Sequence, residues 1–185
     1  MVKHDIDVRN LVLSELNSLY SDRNDTKIIN EMGLIHGKSR IDIAVINETL
    51  HGYELKSESD SLKRLGRQVE YYSKIFERMT LIIDRKFLEP ANTLIPKWWG
   101  ISVLNSDYSK TVQIRKGRKI KTKDYNSLLA ILWKKELDGL VDYLDYPKKY
   151  KKYRKDDLYR LILKDKRRDY IKIYIYRALK NRNYN

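Results

Sequence analysis

The run Arg40-Ile-Asp-Ile-Ala-Val-Ile-Asn47, followed after a short break by Gly52-Tyr-Glu-Leu-Lys56, constrains this chain more than any other stretch. Both segments are rich in β-branched and aromatic residues at strand-like spacing, and a turn centred on Glu48 joins them as a hairpin. In that register Asp42 lies opposite Glu54. Directly opposed residues share a face with Cβ atoms roughly 4.5–5.5 Å apart. Lys56, two residues beyond Glu54, falls on the same face. Ile41, Ile43, Val45, Ile46 and Leu55 surround these charges and argue for buried strands, where unpaired charge is costly.

Two opposed carboxylates repel in a bare sheet. A divalent cation removes that cost, and Mg²⁺ takes one or two protein carboxylates together with waters and phosphate oxygens. The expected chemistry is therefore metal-assisted phosphodiester hydrolysis. Asp42 and Glu54 hold Mg²⁺ (or Mn²⁺), the metal polarises the phosphate and lowers the pKa of a bound water, and Lys56 orients that water or stabilises the developing charge. The plainer alternative is a solvated face on which Lys56 merely pairs with Glu54, the usual meaning of an isolated E-x-K.

The helix expected after the hairpin adds a second signal. Arg64, Gln68 and Tyr72 fall at i, i+4 and i+8 and stack along one face. That row is placed to touch substrate phosphates or to position the lysine, although Tyr72 also suits a core position. Ser57 and Asp60 read as a capping pair at the start of this helix. Leu62, Leu65, Val69, Tyr72, Ile75 and Phe76 trace its apolar stripe to about Glu77.

Asp42, Glu54-Leu-Lys56 and Gln68-x-x-x-Tyr72 together resemble the PD-(D/E)XK nuclease superfamily, which has the restriction-endonuclease-like fold. Arg40-Ile-Asp-Ile-Ala-Val, Gly52-Tyr-Glu-Leu-Lys-Ser-Glu-Ser-Asp-Ser-Leu-Lys-Arg-Leu and Pro96-Lys-Trp-Trp-Gly100 are similar to a family of small bacterial and phage proteins within it, over residues from about 5 to 140. The resemblance implies an αβββαβ core, Mg²⁺ on Asp42 and Glu54, and a catalytic Lys56. It also implies an upstream glutamate near the metal. Glu31 is the candidate and Glu15, on the first helix, its rival. Ile41 stands where the nominal motif has proline, a common departure.

Elsewhere the pattern places a helix over residues 5–20, with Ile6, Leu11, Leu13, Leu16 and Leu19 or Tyr20 apolar. Strands are expected at Thr26–Met32, Met79–Ile83 and Trp99–Leu104, and a hairpin over Val112–Lys121 turning at Lys116-Gly117. A helix runs from about Asp124 to Leu144 and ends before Pro147. Asp156–Lys164 and Asp169–Asn181 read as helices, though Tyr170–Tyr176 also fits a strand. The fold class expected is α/β (α+β), a mixed sheet flanked by helices. Residues 1–120 form the nuclease-like core, and residues 121–185 a basic helical extension packed on or beside it. His4, His36 and His51 share no ligand spacing and read as surface or loop residues. Trp98 and Trp99 read as core.

The net charge of +14 is unevenly distributed. Residues 1–115 carry 17 Lys/Arg and 16 Asp/Glu, whereas residues 116–185 carry 22 and 9. Such a field attracts polyanions. Its densest run places Lys148, Lys149, Lys151, Lys152, Arg154 and Lys155 around Tyr150 and Tyr153, a pattern for backbone contact with little sequence preference. The partner expected is nucleic acid, with DNA preferred to RNA. A homodimer or a co-encoded protein is a further expectation. There is no cysteine, no apolar leader at the N-terminus and no apolar run of membrane-spanning length, so the expected setting is cytoplasmic, with no membrane partner. Catalytically silent binding of nucleic acid or of a partner, in a defence or mobile-element system, is the competing function.

Overall fold

A computed structural model describes residues 5–34, 37, 39–121 and 124–184. Six strands form one sheet in chain order: β1 (Lys27–Leu34), β2 (Ser39–Ile46), β3 (Leu50–Lys56), β4 (Arg78–Ile83), β5 (Gly100–Leu104) and β6 (Thr111–Arg115). The pairs β3–β4 and β4–β5 are parallel and the others antiparallel. Helix α1 (Asp5–Leu19) covers one face. Helices α2 (Leu65–Ile75), α4 (Tyr125–Leu129), α5 (Lys134–Tyr143), α6 (Lys155–Ile162) and α7 (Arg168–Asn181) pack on the other. The short α3 (Leu88–Leu94) lies between β4 and β5. This is an α+β fold with a mixed sheet flanked by helices.

The central hairpin has the expected register from Ile43–Tyr53 to the turn, but the expected Asp42–Glu54 pair is not formed. Ile43 pairs with Tyr53, Ala44 with Gly52 and Ile46 with Leu50, and Asn47 closes the turn by accepting from Thr49 N at 3.0 Å. Period-2 alternation sends Ile43, Val45, Tyr53 and Leu55 towards α1, and Ala44, Ile46 and Leu50 towards α2 and the C-terminal helices.

Several elements depart from expectation. The buried stripe of α1 is Val8, Val12 and Leu16, whereas Ile6 and Leu19 are exposed. Helix α2 begins at Leu65, not after Ser57. Asp60 accepts from Ser57 N at 2.8 Å and Ser57 Oγ at 2.7 Å, closing a turn of its own, and the chain makes another turn before the helix starts with Arg64 as N-cap. Residues 111–115 are the return strand of a β5–β6 hairpin that turns at residues 105–110. Lys116-Gly117 is therefore no turn tip. Gly117 crosses the start of β5 so closely that a Cβ there would sit 2.9 Å from Met79 O and 3.0 Å from Gly100 N. The helix expected over 124–144 is broken at residues 130–133, where Trp133 is extended and its N–H donates to Glu136 at 2.7 Å to start α5. Tyr170–Tyr176 is helical, because Ile171, Ile175 and Leu179 supply the buried stripe of α7.

One hydrophobic core runs from the sheet into the C-terminal helices. Leu81, Ile83 and Trp99 share it with Leu137, Leu158, Ile171 and Leu179. Glu77, 2% exposed, ties α7 to the sheet by accepting from Lys172 Nζ at 2.5 Å and Tyr176 OH at 2.8 Å. Arg182, also buried, donates to Glu136 Oε1 at 2.8 Å and to Ile131 O at 2.9 Å.

Candidate functional site

The candidate site is a cleft of about 480 Å³ at the end of β2 and β3, walled by the first turns of α2 and by α1. It forms where the sheet changes phase. In β1 the residues facing the large core are Ile29, Met32 and Leu34, and in β2 they are Ile41, Ala44 and Ile46. Both strands thus shift their pleat between flanking core residues. Glu31 takes up the shift with a left-handed backbone, φ 54°, a strained conformation for a residue with a side chain. Beyond Ile43–Tyr53 the β2–β3 ladder gives way to a side-chain contact, in which Leu55 N donates to Asp42 Oδ2 at 2.9 Å. Asp42 therefore stands where the two strands part.

Glu54 and Lys56 project from the α2 face of β3 and are 1% and 4% exposed. Lys56 Nζ lies 2.5 Å from Glu54 Oε1, and Gln68 Nε2 donates to the same oxygen at 2.5 Å. Glu54 Oε2 is buried with no hydrogen-bond partner. Burial, and then the charge of Asp42, push the Glu54 carboxyl up to about 7, while Lys56 pulls it down. A buried, unpartnered oxygen on a carboxylate beside a second carboxylate, at the wall of a polar cleft, suits a cation.

The first alternative raised by E-x-K, a solvated face, does not describe Glu54 or Lys56, since both are buried. Tyr72 takes the core position that its spacing also allowed and offers no surface to a phosphate. It is fully buried, its ring lies against Phe76 and Trp99, and its hydroxyl donates to Arg40 O at 2.7 Å. Trp99 is likewise core. Arg64 is exposed at the cleft, one turn before Gln68.

Glu31 lines the cleft, but it is held by cations rather than gathered with Asp42 and Glu54. Arg9 Nη1 is 3.1 Å and Arg40 Nη2 3.3 Å from Glu31 Oε1. Among the described residues no group of three or more His, Asp or Glu side chains is placed to hold a metal. The Arg9 guanidinium bridges Glu31, the candidate third ligand, and Asp42, with Nη2 3.2 Å from Asp42 Oδ1. Glu15 is no substitute, because its carboxylate accepts from Thr111 N at 2.8 Å and Thr111 Oγ1 at 2.7 Å on the other face.

Sequence reasoning missed Arg9, Arg40 and Arg67, all of which line the cleft. The signal for Arg9 was present: it precedes Val12 and Leu16 at i+3 and i+7, which puts a cation on the buried stripe of α1. Arg67 extends the basic rim begun by Arg64, and its Nη2 donates to Tyr71 OH at 3.3 Å.

The basic run lies elsewhere. Lys148, Lys149, Lys151 and Lys152 form a 3₁₀ turn packed on α5, Arg154 precedes α6, and Lys155 opens it. None of them lines the cleft. Lys151 pairs with Asp142 at 2.6 Å, and Tyr150 packs edge-on against Tyr146 and Tyr153. His51 is a sheet residue, not a loop residue, with Nε2 2.9 Å from Thr80 Oγ1. His4 and His36 lie outside the described residues.

A family model described as bacteriophage P4 protein cII matches residues 2–184. Protein cII of Enterobacteria phage P4 is 32% identical over 120 residues, which cover 64% of this chain and 46% of that protein. The chain thus spans about half the length of this curated relative. Among solved structures, the SPO1766 protein of unknown function from Silicibacter pomeroyi aligns with 55% of this chain and 66% of its own, at 17% identity and a TM-score of 0.40.

Proposed function

The chain belongs to the bacteriophage P4 protein cII family, and we propose that it is a metal-dependent nuclease of the PD-(D/E)XK type, hydrolysing phosphodiester bonds in DNA. One observation carries this reading: the buried Glu54 carboxylate, with Oε2 unpartnered, beside Asp42 and in contact with Lys56. The strand order, with β2 and β3 parting at the site and α2 beginning beside it, suits the restriction-endonuclease-like core.

Asp42 and Glu54 are the residues that would hold Mg²⁺ or Mn²⁺. A bound ion would supply charge neutralisation at the phosphate and a more acidic water. Lys56, anchored on Glu54 Oε1, presents its remaining ammonium protons to the cleft and stabilises negative charge developing on the phosphate oxygens. Gln68 holds Glu54 through Oε1, which leaves Oε2 unpartnered. Arg40, Arg64 and Arg67 at the rim give the phosphodiester backbone its cations. The exposed Lys148, Lys149, Lys152 and Arg154, with Lys151 and Lys155, extend the attraction of a polyanion over a second surface. The setting proposed is cytoplasmic; no helix of the described residues is long and apolar enough to cross a membrane.

The test is cleavage of plasmid, linear and branched DNA with Mg²⁺ or Mn²⁺, and EDTA as control. Cleavage by the parent, lost at least a hundredfold in Asp42→Ala and Lys56→Ala, is expected. Equal cleavage by parent and variants would remove the reading. A second reading, silent binding of nucleic acid or a co-encoded partner, draws on Arg9, which already neutralises Asp42 and Glu31 without a metal. It predicts EDTA-insensitive, strongly salt-dependent DNA binding with no product.

A further inference from the structure

On the sheet face opposite the cleft, α1 and β3–β6 enclose a second cavity of about 260 Å³. Its polar wall is built from three strands. His51 and Tyr53 come from β3, Arg78 and Thr80 from β4, and Ser102 from β5, with Lys116 at the mouth. The side chains are pre-ordered by one another. His51 Nε2 lies 2.9 Å from Thr80 Oγ1, its Nδ1 lies 3.1 Å from Tyr53 OH, and the two rings stack at 4.1 Å.

The charges in this cavity do not balance. Arg78 has no carboxylate partner among the described residues, and its Nε is buried with no hydrogen-bond partner. A guanidinium stays ionised at any working pH, and leaving one half-buried and unpaired is unfavourable. Lys116 adds a second cation with no carboxylate partner among the described residues. Among the described residues, Glu15 is the one carboxylate lining the cavity, and both its oxygens are engaged by Thr111. His51 contributes no charge, since burial and then Arg78 hold its imidazole neutral, at about 3.

We infer that this cavity binds a phosphate-group anion, with Arg78 and Lys116 as its cations and the Ser102 and Thr80 hydroxyls as neutral donors. Arg78 presents planar paired donors, the geometry that phosphate oxygens accept. The cavity falls below the roughly 300–1,000 Å³ of sites for drug-sized ligands. It therefore suits one phosphate and little more, not a strand lying along the surface. Such a group arrives either on a small molecule or as the terminal phosphate of a nucleic-acid strand. The inference does not depend on the nuclease reading, because none of these residues belongs to the cleft.

The experiment is a titration followed by the His51 ring resonances, which report this face alone, with calorimetry in parallel and chloride held constant. The probes are inorganic phosphate, a nucleoside 5′-monophosphate, and one short oligonucleotide with and without its 5′-phosphate. Saturable 1:1 binding that shifts His51 is expected. It should weaken at least tenfold in Arg78→Met and Lys116→Glu, and several-fold in Lys116→Ala. Binding of the small probes identifies a free phosphate ligand; binding of the 5′-phosphorylated oligonucleotide alone identifies a strand end. Should Arg78→Met fail to fold, the Lys116 variants, altered at an exposed position, decide the matter. The inference falls if no probe moves His51 saturably at millimolar concentrations, or if Lys116→Glu binds as the parent does.

Discussion

At Glu54 the environment opposes ionisation, through burial first and then the Asp42 charge. The folded-state value of about 7 stands above the ordinary 4.5, so the sign of the linkage follows. Below about pH 4.5 both folded and unfolded chains are protonated and Glu54 costs nothing. As pH rises to about 7 the unfolded chain ionises more readily, and the folded state loses stability, by on the order of 3 kcal/mol in full. Measured against Glu54→Gln, which leaves Lys56 without its carboxylate at every pH, the parent should therefore lose stability as pH rises from 4.5 to 8 in urea melts. An unchanging difference between the two would contradict this account. Metal ligands must be deprotonated, so Mn²⁺ affinity measured by calorimetry should fall about tenfold per pH unit below 7. Arg9 acts in the opposite sense. By neutralising Asp42 and Glu31 it substitutes for a cation, so Arg9→Ala should melt lower without metal yet bind Mn²⁺ several-fold more tightly. Weaker Mn²⁺ binding in that variant would assign Arg9 to holding the ligands in place instead.

The elements divide by how local their causes are. The β2–β3 hairpin was legible because alternation and a three-residue turn specify register together, and the observed pairs follow it. Helices α6 and α7 were legible from their periodic Leu and Ile positions. The start of α2 was not, because Ser57–Asp60 is a competent local turn whether or not a helix follows. Gly117 looked like a turn glycine and is a crossing glycine, a role decided by the backbone of Met79 and Gly100, which lies outside any local pattern it belongs to. Gly117→Ala should lower stability by about 1–3 kcal/mol, since backbone atoms and not flexible side chains meet the new methyl. Tyr176→Phe should cost about 1.5–3 kcal/mol, because it removes a buried hydrogen bond to the Glu77 carboxylate. Chemical denaturation of either variant checks these values, and an unchanged midpoint would contradict them.

For the whole molecule, the charge division suggested a basic extension packed on or beside the core, and the hydrophobic core joins the C-terminal helices to the sheet. Deleting residues 147–185 would strip Leu158, Ile162, Ile171, Ile175 and Leu179 from that core. The truncated chain should lose its cooperative thermal transition, not merely its affinity for polyanions; a truncated chain melting as the parent does would refute this. Sequence alone determined the order of the first six elements, α1 to β4, the register of the central hairpin from Ile43–Tyr53 to its turn, and the identity of Asp42, Glu54, Lys56 and Gln68 as neighbours. Those follow from period-2 and period-3.6 spacing, which are properties of short stretches. Tertiary structure decided that Glu31 is held by Arg9 and Arg40, that Tyr72 is core, that the Lys148–Lys155 run lies apart from the cleft, and that Arg78 faces a second cavity. Each of these depends on which side chains from distant elements arrive at the same point, and burial and charge there act through space without regard to position along the chain.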